Sequence, residues 1–295
     1  MIITRLNGGL GNQMFQYAIG KSLSLKHKSN LYLDVFVYKS YLSDRTYELS
    51  KAFQGDFRTV VKEDIKELFG PLYINGLDKL TSRQPFLRFS KKYIKEPSFN
   101  FWPGVKDVPA DCYLSGYWQS EEYFKGISDQ IRKDFIFKPF DSKQNLRMEE
   151  KIKCSENSIS IHVRRADYIS NSKAFLTHGL CPISYYKLAI NYFLKTKRNV
   201  NFFVFSDDIE WAMSNITIRG AENSFTYISH NKGVDSFNDM ALMSLCSFNI
   251  IANSTFSWWA AWLNKNKSKK VLCPSKWFAD GRETTSLIPR SWVSI

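Results

Sequence analysis

Two adjacent arginines closing an apolar run are the residues of this chain best suited to chemistry. In Ser160-Ile161-His162-Val163-Arg164-Arg165-Ala166-Asp167-Tyr168 the apolar positions Ile159, Ile161 and Val163 alternate, as in a strand, and the run ends in Arg164, Arg165 and Asp167. A planar guanidinium can hold a phosphate through two parallel N–H···O bonds, which the point charge of lysine cannot do. Taken alone, the same residues are equally a surface salt-bridge cluster.

Three other segments bear on the choice. Asn7-Gly8-Gly9-Leu10-Gly11-Asn12-Gln13-Met14 lies between a strand-like and a helix-like stretch. Glycines there let a ligand approach the backbone, and the first N–H groups of a helix attract anions. It is not the dinucleotide fingerprint, because Met14 stands where the third glycine belongs; a bare tight turn is the plain reading, and Asn7, Asn12 and Gln13 add amides suited to sugar hydroxyls or phosphate. Asn253-Ser254-Thr255-Phe256-Ser257 is a second strand-to-helix junction, rich in small hydroxyls that cap helices. Two such devices on one chain point to a diphosphate. Ser206-Asp207-Asp208 follows an apolar run; paired aspartates could hold a divalent metal, but no third ligand is in sight and helix capping explains them.

Gly116-Tyr117-Trp118-Gln119-Ser120-Glu121 mixes aromatics, an amide and a carboxylate, as carbohydrate sites do. A strand end with a capped helix explains it as well. Trp258, Trp259 and Trp262 are read as core.

The elements that must position these residues alternate. Residues 2–6 read as a strand, about 13–26 as a helix and 31–34 as a strand, a βαβ opening that implies a parallel sheet. Residues 45–110, with Pro85, Pro97, Pro103 and Pro109, read as insertions and loops over that sheet. Residues 142–158 are the best linker candidate. Beyond it, strands near 159–163, 201–205, 227–228, 249–252 and 271–273 alternate with helices near 184–194, 235–245 and 256–263, which implies a second parallel sheet with its ligand edge at the strand C-termini.

The 295 residues suffice for two domains, and 44% hydrophobic with 16% aromatic content excludes a disordered chain. Five scattered cysteines without a CxxC pair suggest neither a disulfide framework nor structural zinc, and fit a reducing cytosol. Met1–Leu6 reads as a strand and not as a signal peptide, and no apolar run has the length of a membrane span, so the chain is expected to stay where it is made. The net charge of +13 is spread out and carries no zinc-finger or RNP-type signature. Nucleic acid is therefore not expected as a partner; peripheral contact with an anionic membrane is compatible, and a solvated basic surface is the plain reading.

Together, Gly8-Gly9-Leu10-Gly11-Asn12-Gln13-Met14-Phe15-Gln16-Tyr17, His162–Tyr168, Ser206-Asp207-Asp208 and Asn253–Trp259 resemble the motifs of the bacterial α-1,2-fucosyltransferases that build O-antigen repeats, in the same order and along the whole chain. Gly116–Glu121 and Thr177-His178-Gly179 resemble them too. The resemblance implies an α/β fold of GT-B type: two Rossmann-like domains with a cleft between them, here 1–150 on the acceptor side and 151–295 binding the donor. It implies GDP-β-L-fucose as donor, inversion at the fucose, transfer to the 2-hydroxyl of a galactose in an oligosaccharide, and no required metal. A lipid-linked acceptor would bring the basic surface to the inner membrane face. The resemblance also implies that Arg164 takes the β-phosphate with Arg165 in support, and that His162 and Asp239 contact guanine or ribose. Asp167 binds substrate or orients Arg165. Some more distant fucosyltransferases place a glutamate a few residues after the arginines; here that stretch is Tyr168–Ser172, without a carboxylate, so Asp34, Glu121 and Asp167 remain as candidates for the general base. A nucleotide- or carbohydrate-binding protein without catalysis is the alternative, though a mere sugar binder has no use for a diphosphate clamp.

Overall fold

A computed structural model describes residues 1–39, 45–72 and 90–295, apart from the side chains of Asp167, Ser170, Lys173 and Ala174. The chain divides into two compact units: Met1–Lys138 with Glu283–Ile288, and Pro139–Arg282 with Pro289–Ile295.

The first unit is built on β1 (Ile2–Arg5), α1 (Leu10–His27) and β2 (Leu31–Asp34), with β3 (Tyr93–Lys95) and β4 (Cys112–Ser115) completing a parallel sheet in the order β2-β1-β4-β3. Helix α1 starts inside the glycine motif. Gly9 stands at its N-cap and brings no side-chain cap, so Gly11, Asn12 and Gln13 form its first turn. Helix α1 packs on β1 and β2 and against α2 (Leu49–Ala52), α3 (Lys62–Phe69) packs on the sheet through Ile65, Leu68 and Phe69, and α4 (Ser128–Asp134) buries Ile131. Ile3, Val60, Ile65, Leu68, Phe69 and Tyr113 close one core cluster. Tyr17, Phe53, Phe57 and Phe135 close another by ring contacts, with centroids 4.9 to 6.4 Å apart. Each such buried ring stabilises the fold by about 1.5–3 kcal/mol. The strand β3 lies within the stretch read as insertions and loops, and pairs with β4 as part of the sheet itself.

The second unit begins with α5 (Lys143–Cys154), the segment expected to be a linker, which buries Asn145 and Ile152. It continues as β5 (Asn157–Val163), α6 (Ala166–Ser170), α7 (Ser172–His178), α8 (Ile183–Thr196), β6 (Val200–Ser206), α9 (Ile209–Asn215), β7 (Phe225–Ile228), α10 (Phe237–Leu245), β8 (Phe248–Ile250), α11 (Thr255–Leu263), β9 (Val271–Cys273) and β10 (Val293–Ser294). All its strands are parallel, in the order β10-β9-β8-β5-β6-β7. The run Phe202-Phe203-Val204-Phe205 is buried throughout because helices cover both faces of the sheet. Trp258 and Trp259 are fully buried and Trp262 nearly so, all in the core.

In each sheet the strand order reverses once beside a central strand. In the first, β2 lies on one side of β1 and β4 on the other; in the second, β6 lies on one side of β5 and β8 on the other. Ligands of open parallel sheets bind outside the carboxyl ends of the strands at such a reversal.

Candidate active site

The carboxyl ends of β5 and β6 are in register, Val163 beside Ser206, so the arginines that follow one meet the aspartates that follow the other. Arg164 Nη1 lies 3.2 Å from Asp207 Oδ2. The Arg165 backbone N–H donates to Asp207 Oδ1 at 2.8 Å and its Nε donates to Asp208 Oδ2 at 3.2 Å. The Arg165 guanidinium lies over the Trp211 ring, 4.3 Å from its centre, and that of Arg164 lies 5.9 Å from the centre of Tyr168. Asp208 also caps α9 by accepting from Trp211 N–H, and its own N–H donates to Ser206 Oγ. The two aspartates are thus spent on orienting guanidiniums and capping a helix. Among the described residues no group of three or more His, Cys, Asp or Glu side chains could hold a metal ion.

The other side of the reversal is the junction after β8. Ser254 caps α11 by accepting from Phe256 N–H, while Thr255 opens the helix half-buried. The Phe256 ring packs on His162, centroids 5.6 Å apart. Asn253 and Ser257 are turned inward. Asn253 Nδ2 donates to the carbonyls of His178 and Trp277, and Ser257 Oγ donates to Ala252 and Ser254 carbonyls. Tyr168 donates its hydroxyl proton to the Asn253 carbonyl and stacks on His178 at 4.8 Å, so the Thr177–Gly179 motif is a brace for this junction.

Past β7, Asp239 of α10 is half-buried and accepts from Asn231 Nδ2 at 2.7 Å; Asn231 and His230 both bond Asn145 of α5. Burial pushes the Asp239 carboxyl up to about 7, with the Asn231 bond working against the shift.

At the first sheet, the ends of β1 and β4 are joined by amides and a phenol. Asn7 Nδ2 donates to the Tyr117 hydroxyl at 3.3 Å, Gln119 Nε2 to Asn12 Oδ1 at 2.9 Å, and Gln16 Nε2 to the Gly116 carbonyl at 3.0 Å. Gly8 takes a φ of +81°, a conformation glycine adopts freely, and an added Cβ would meet Asn12 Nδ2. Tyr38 donates to the Gly8 carbonyl, which fixes the loop from below.

Three expectations change here. Gln13 is wholly buried: its Nε2 donates to the Gly8 and Thr46 carbonyls and its Oε1 accepts from Glu48 N–H, so it braces the glycine loop and does not face a ligand. Trp118 is 0% exposed and edge-on to Tyr123, which leaves Tyr117, 41% exposed, as the aromatic face of that segment. Asp34 is 1% exposed, accepting from the Tyr113 hydroxyl and from Phe36 N–H; enclosed in this way it is a structural carboxylate and not a base for a substrate hydroxyl. Glu121 lies half-buried in the turn Glu121–Tyr123, where its charge bears on Arg132. Asp167 is on α6, its side chain outside the described ones.

One residue at this edge went unread in the sequence. Glu96, one position past β3, accepts from Tyr117 N–H at 2.7 Å and Trp118 N–H at 2.9 Å. Burial pushes its carboxyl up to about 7, the two N–H groups opposing.

The sequence profile described as glycosyl transferase family 11 matches residues 1–295. The chain is 36% identical to an Escherichia coli alpha-1,2-colitosyltransferase over 302 residues, covering 100% of this chain and 99% of that one. It is 34% identical to the O-antigen biosynthesis glycosyltransferase WbnK of Escherichia coli, covering 98% and 99%. Crystal structures of the fucosyltransferase NodZ from Bradyrhizobium share the fold, with a TM-score of 0.53 at 13% identity over 88% of this chain and 91% of that one. The NodZ structure soaked with GDP-fucose scores the same, at 16% identity over 89% and 91%. The two parallel sheets are thus of the GT-B type.

Proposed function

The chain belongs to glycosyl transferase family 11, and on that premise we propose that it moves L-fucose from GDP-β-L-fucose to the 2-hydroxyl of a galactose in an O-antigen oligosaccharide, inverting the fucose anomeric centre without a required metal. The observation that carries the reading is the guanidinium pair at the carboxyl ends of β5 and β6, each member oriented by an aspartate of the neighbouring strand. Such a pair suits a diphosphate leaving group. Likeness to an alpha-1,2-colitosyltransferase supports an α-1,2 linkage, likeness to WbnK supports O-antigen synthesis, and the GDP-fucose soak of NodZ supports the donor.

The acceptor O2 forms a bond to the fucose C1 as the bond from C1 to the β-phosphate oxygen breaks. The hydroxyl proton leaves to a base, and the electron pair of the broken bond stays on GDP. Positive charge develops on the sugar ring and negative charge on the leaving phosphate. Arg164 takes the β-phosphate oxygens and Arg165 adds charge beside them. The N-terminal end of α11, on the same sheet as the arginines, contributes amide dipoles fixed before the reaction begins. His162 and Asp239 hold the guanine and ribose. Asn7 and Tyr117 bind acceptor hydroxyls, the phenol ring offering a face to the sugar's C–H surface.

The identity to the colitosyltransferase favours a second donor reading, colitose in place of fucose, which differs by the loss of one hydroxyl. A site that hydrogen-bonds that hydroxyl rejects the analogue lacking it by orders of magnitude. Purified protein with EDTA, a panel of β-galactosyl disaccharides and either GDP-fucose or GDP-colitose separates the readings by mass spectrometry. A product heavier by one fucose and cleaved by an α-1,2-specific fucosidase is expected. Preference for the other donor replaces the sugar and keeps the mechanism; GDP binding without any transfer leaves a nucleotide-binding protein without catalysis; no GDP binding overturns the reading.

Any contact with the membrane is peripheral on this reading. Among the described residues no helix is long and apolar enough to cross a bilayer. Flotation with anionic liposomes at low salt tests the contact, and protein that stays at the bottom of the gradient removes it.

A further inference from the structure

We infer that Glu96 is a positioning residue for the acceptor sugar, holding the Gly116–Gln119 segment in the one backbone conformation that presents the Tyr117 phenol beside Asn7. The inference rests on the proposal that this edge of the first unit binds the acceptor.

Glu96 continues the ladder past β3, its N–H donating to the Ser115 carbonyl at 2.9 Å. Its carboxylate then turns across the end of β4 and takes two successive backbone donors, Oε2 from Tyr117 and Oε1 from Trp118. Two adjacent N–H groups converge on one carboxylate only where the backbone bends sharply. Trp118 accordingly has φ +56°, a left-handed conformation that costs a residue with a Cβ roughly 1–2 kcal/mol. Gly116 gives the carboxylate its room: a Cβ there would come 2.3 Å from Glu96 Cβ and 2.7 Å from Oε2. The result is an alternation in space, with Tyr117 out and Trp118 buried against Tyr123. From that bend the Tyr117 hydroxyl reaches Asn7 and the Gln119 amide reaches Asn12.

Stability does not account for the charge. Burial raises the carboxyl to about 7, so at neutral pH the fold works against the ionised form. A half-buried carboxyl that gathers two successive backbone N–H groups, at the carboxyl edge of a parallel sheet and beside an exposed phenol, has the placement of a functional residue.

The test is the split between acceptor and donor parameters in Glu96→Gln and Glu96→Asp, measured with the donor the wild type prefers. The amide keeps one acceptor oxygen but turns an NH2 toward the other N–H; the shorter acid reaches one donor at a time. The acceptor KM is expected to rise about tenfold in each, with the turnover number at saturating acceptor, donor hydrolysis and GDP affinity within about twofold of wild type. The thermal midpoint of Glu96→Gln should be unchanged or higher, since a disfavoured charge has gone. Gly116→Ala, which crowds the carboxylate from the other side, should reproduce the acceptor effect. An acceptor KM unchanged in a folded Glu96→Gln enzyme overturns the inference. So does a joint loss of turnover, GDP affinity and thermal midpoint in both variants, which is what a purely structural carboxylate would give. If the wild type transfers to no galactoside, the acceptor reading fails first and the inference with it. A wild type that transfers normally beside unaffected variants removes only the role of Glu96.

Discussion

At the carboxyl edge of the second sheet the side chains that meet are ions; at that of the first they are amides and a phenol arranged around one disfavoured carboxylate. Both edges lie at a reversal of strand order, and both join the loops after two neighbouring strands. In the second, the joining bonds are Arg164–Asp207 and Arg165–Asp208. In the first, they are Asn7–Tyr117, Gln119–Asn12 and Gln16–Gly116. The same backbone device carries two kinds of side chain, and what differs is which residues follow the strands. Guanidiniums suit a diphosphate whose charge grows during the reaction; neutral dipoles suit hydroxyls, which need direction more than charge.

The contrast breaks most readily at Arg164. Arg164→Ala should lower kcat/KM by about 10²–10³, the loss of a principal donor to a developing oxyanion, roughly 2.7–4 kcal/mol. Arg164→Lys should be nearly as damaging, because the planar fork is what the phosphate needs. Near-normal turnover by the lysine variant would remove the assignment.

The next effect belongs to the first edge and is one of stability. Asp34→Asn leaves the Tyr113 hydroxyl or the Phe36 N–H without its acceptor, and chemical denaturation should show a loss of about 1–3 kcal/mol. Activity per folded molecule should persist; its loss in folded protein would return Asp34 to the chemistry.

A smaller effect, about tenfold, is expected for Asp208→Asn in GDP affinity, measured by calorimetry. Asparagine caps α9 as well as aspartate does, so the thermal midpoint should hardly move while Arg165 loses its orienting charge. Raising the ionic strength sharpens the comparison further. GDP affinity should fall as salt screens the arginines, and the acceptor KM at saturating donor should move much less.

Smallest is a slope in stability against pH. Glu96 and Asp239 both titrate near 7 in the folded protein, above the ordinary carboxylate value, so the folded state binds protons that the unfolded chain has released. Their contribution is fully present below the ordinary carboxylate range and is lost as pH rises through about 7. Glu96→Gln and Asp239→Asn should each flatten the fall in unfolding free energy over that window, and parallel curves for wild type and variants would contradict the burial of these acids.

How much of this the sequence carries depends on where the deciding contact lies. The strand ending in Arg164, the βαβ opening and the apolar β6 are local patterns and could be read directly. That Arg164 and Arg165 would be held by Asp207 and Asp208 needs the register of two strands whose ends are more than 40 residues apart, although both motifs were visible. Asp34 reads as a strand-end carboxylate whether it meets solvent or Tyr113, and only the fold brings Tyr113 to it. Strand β3 has three residues at the edge of its sheet and no alternation to see. Glu96 was hidden with it, since it reaches the backbone of Tyr117 and Trp118 only once Tyr93 pairs with Tyr113.

The brief return of Glu283–Ile288 to the first unit has a consequence for how the molecule is made. Leu287 is fully buried there, Ser286 Oγ accepts from Phe101 N–H, and Ser120 donates to the Ser286 carbonyl. During synthesis residues 1–138 leave the ribosome before this plug, which follows only after residues 139–282. The native form of the first unit is then sealed by contacts such as Ser120–Ser286 and Phe101–Ser286, 166 and 185 positions apart, a slow, non-local closure. A protease cutting just before residue 283 would leave both arginines in place, the first unit unsealed and the second without β10.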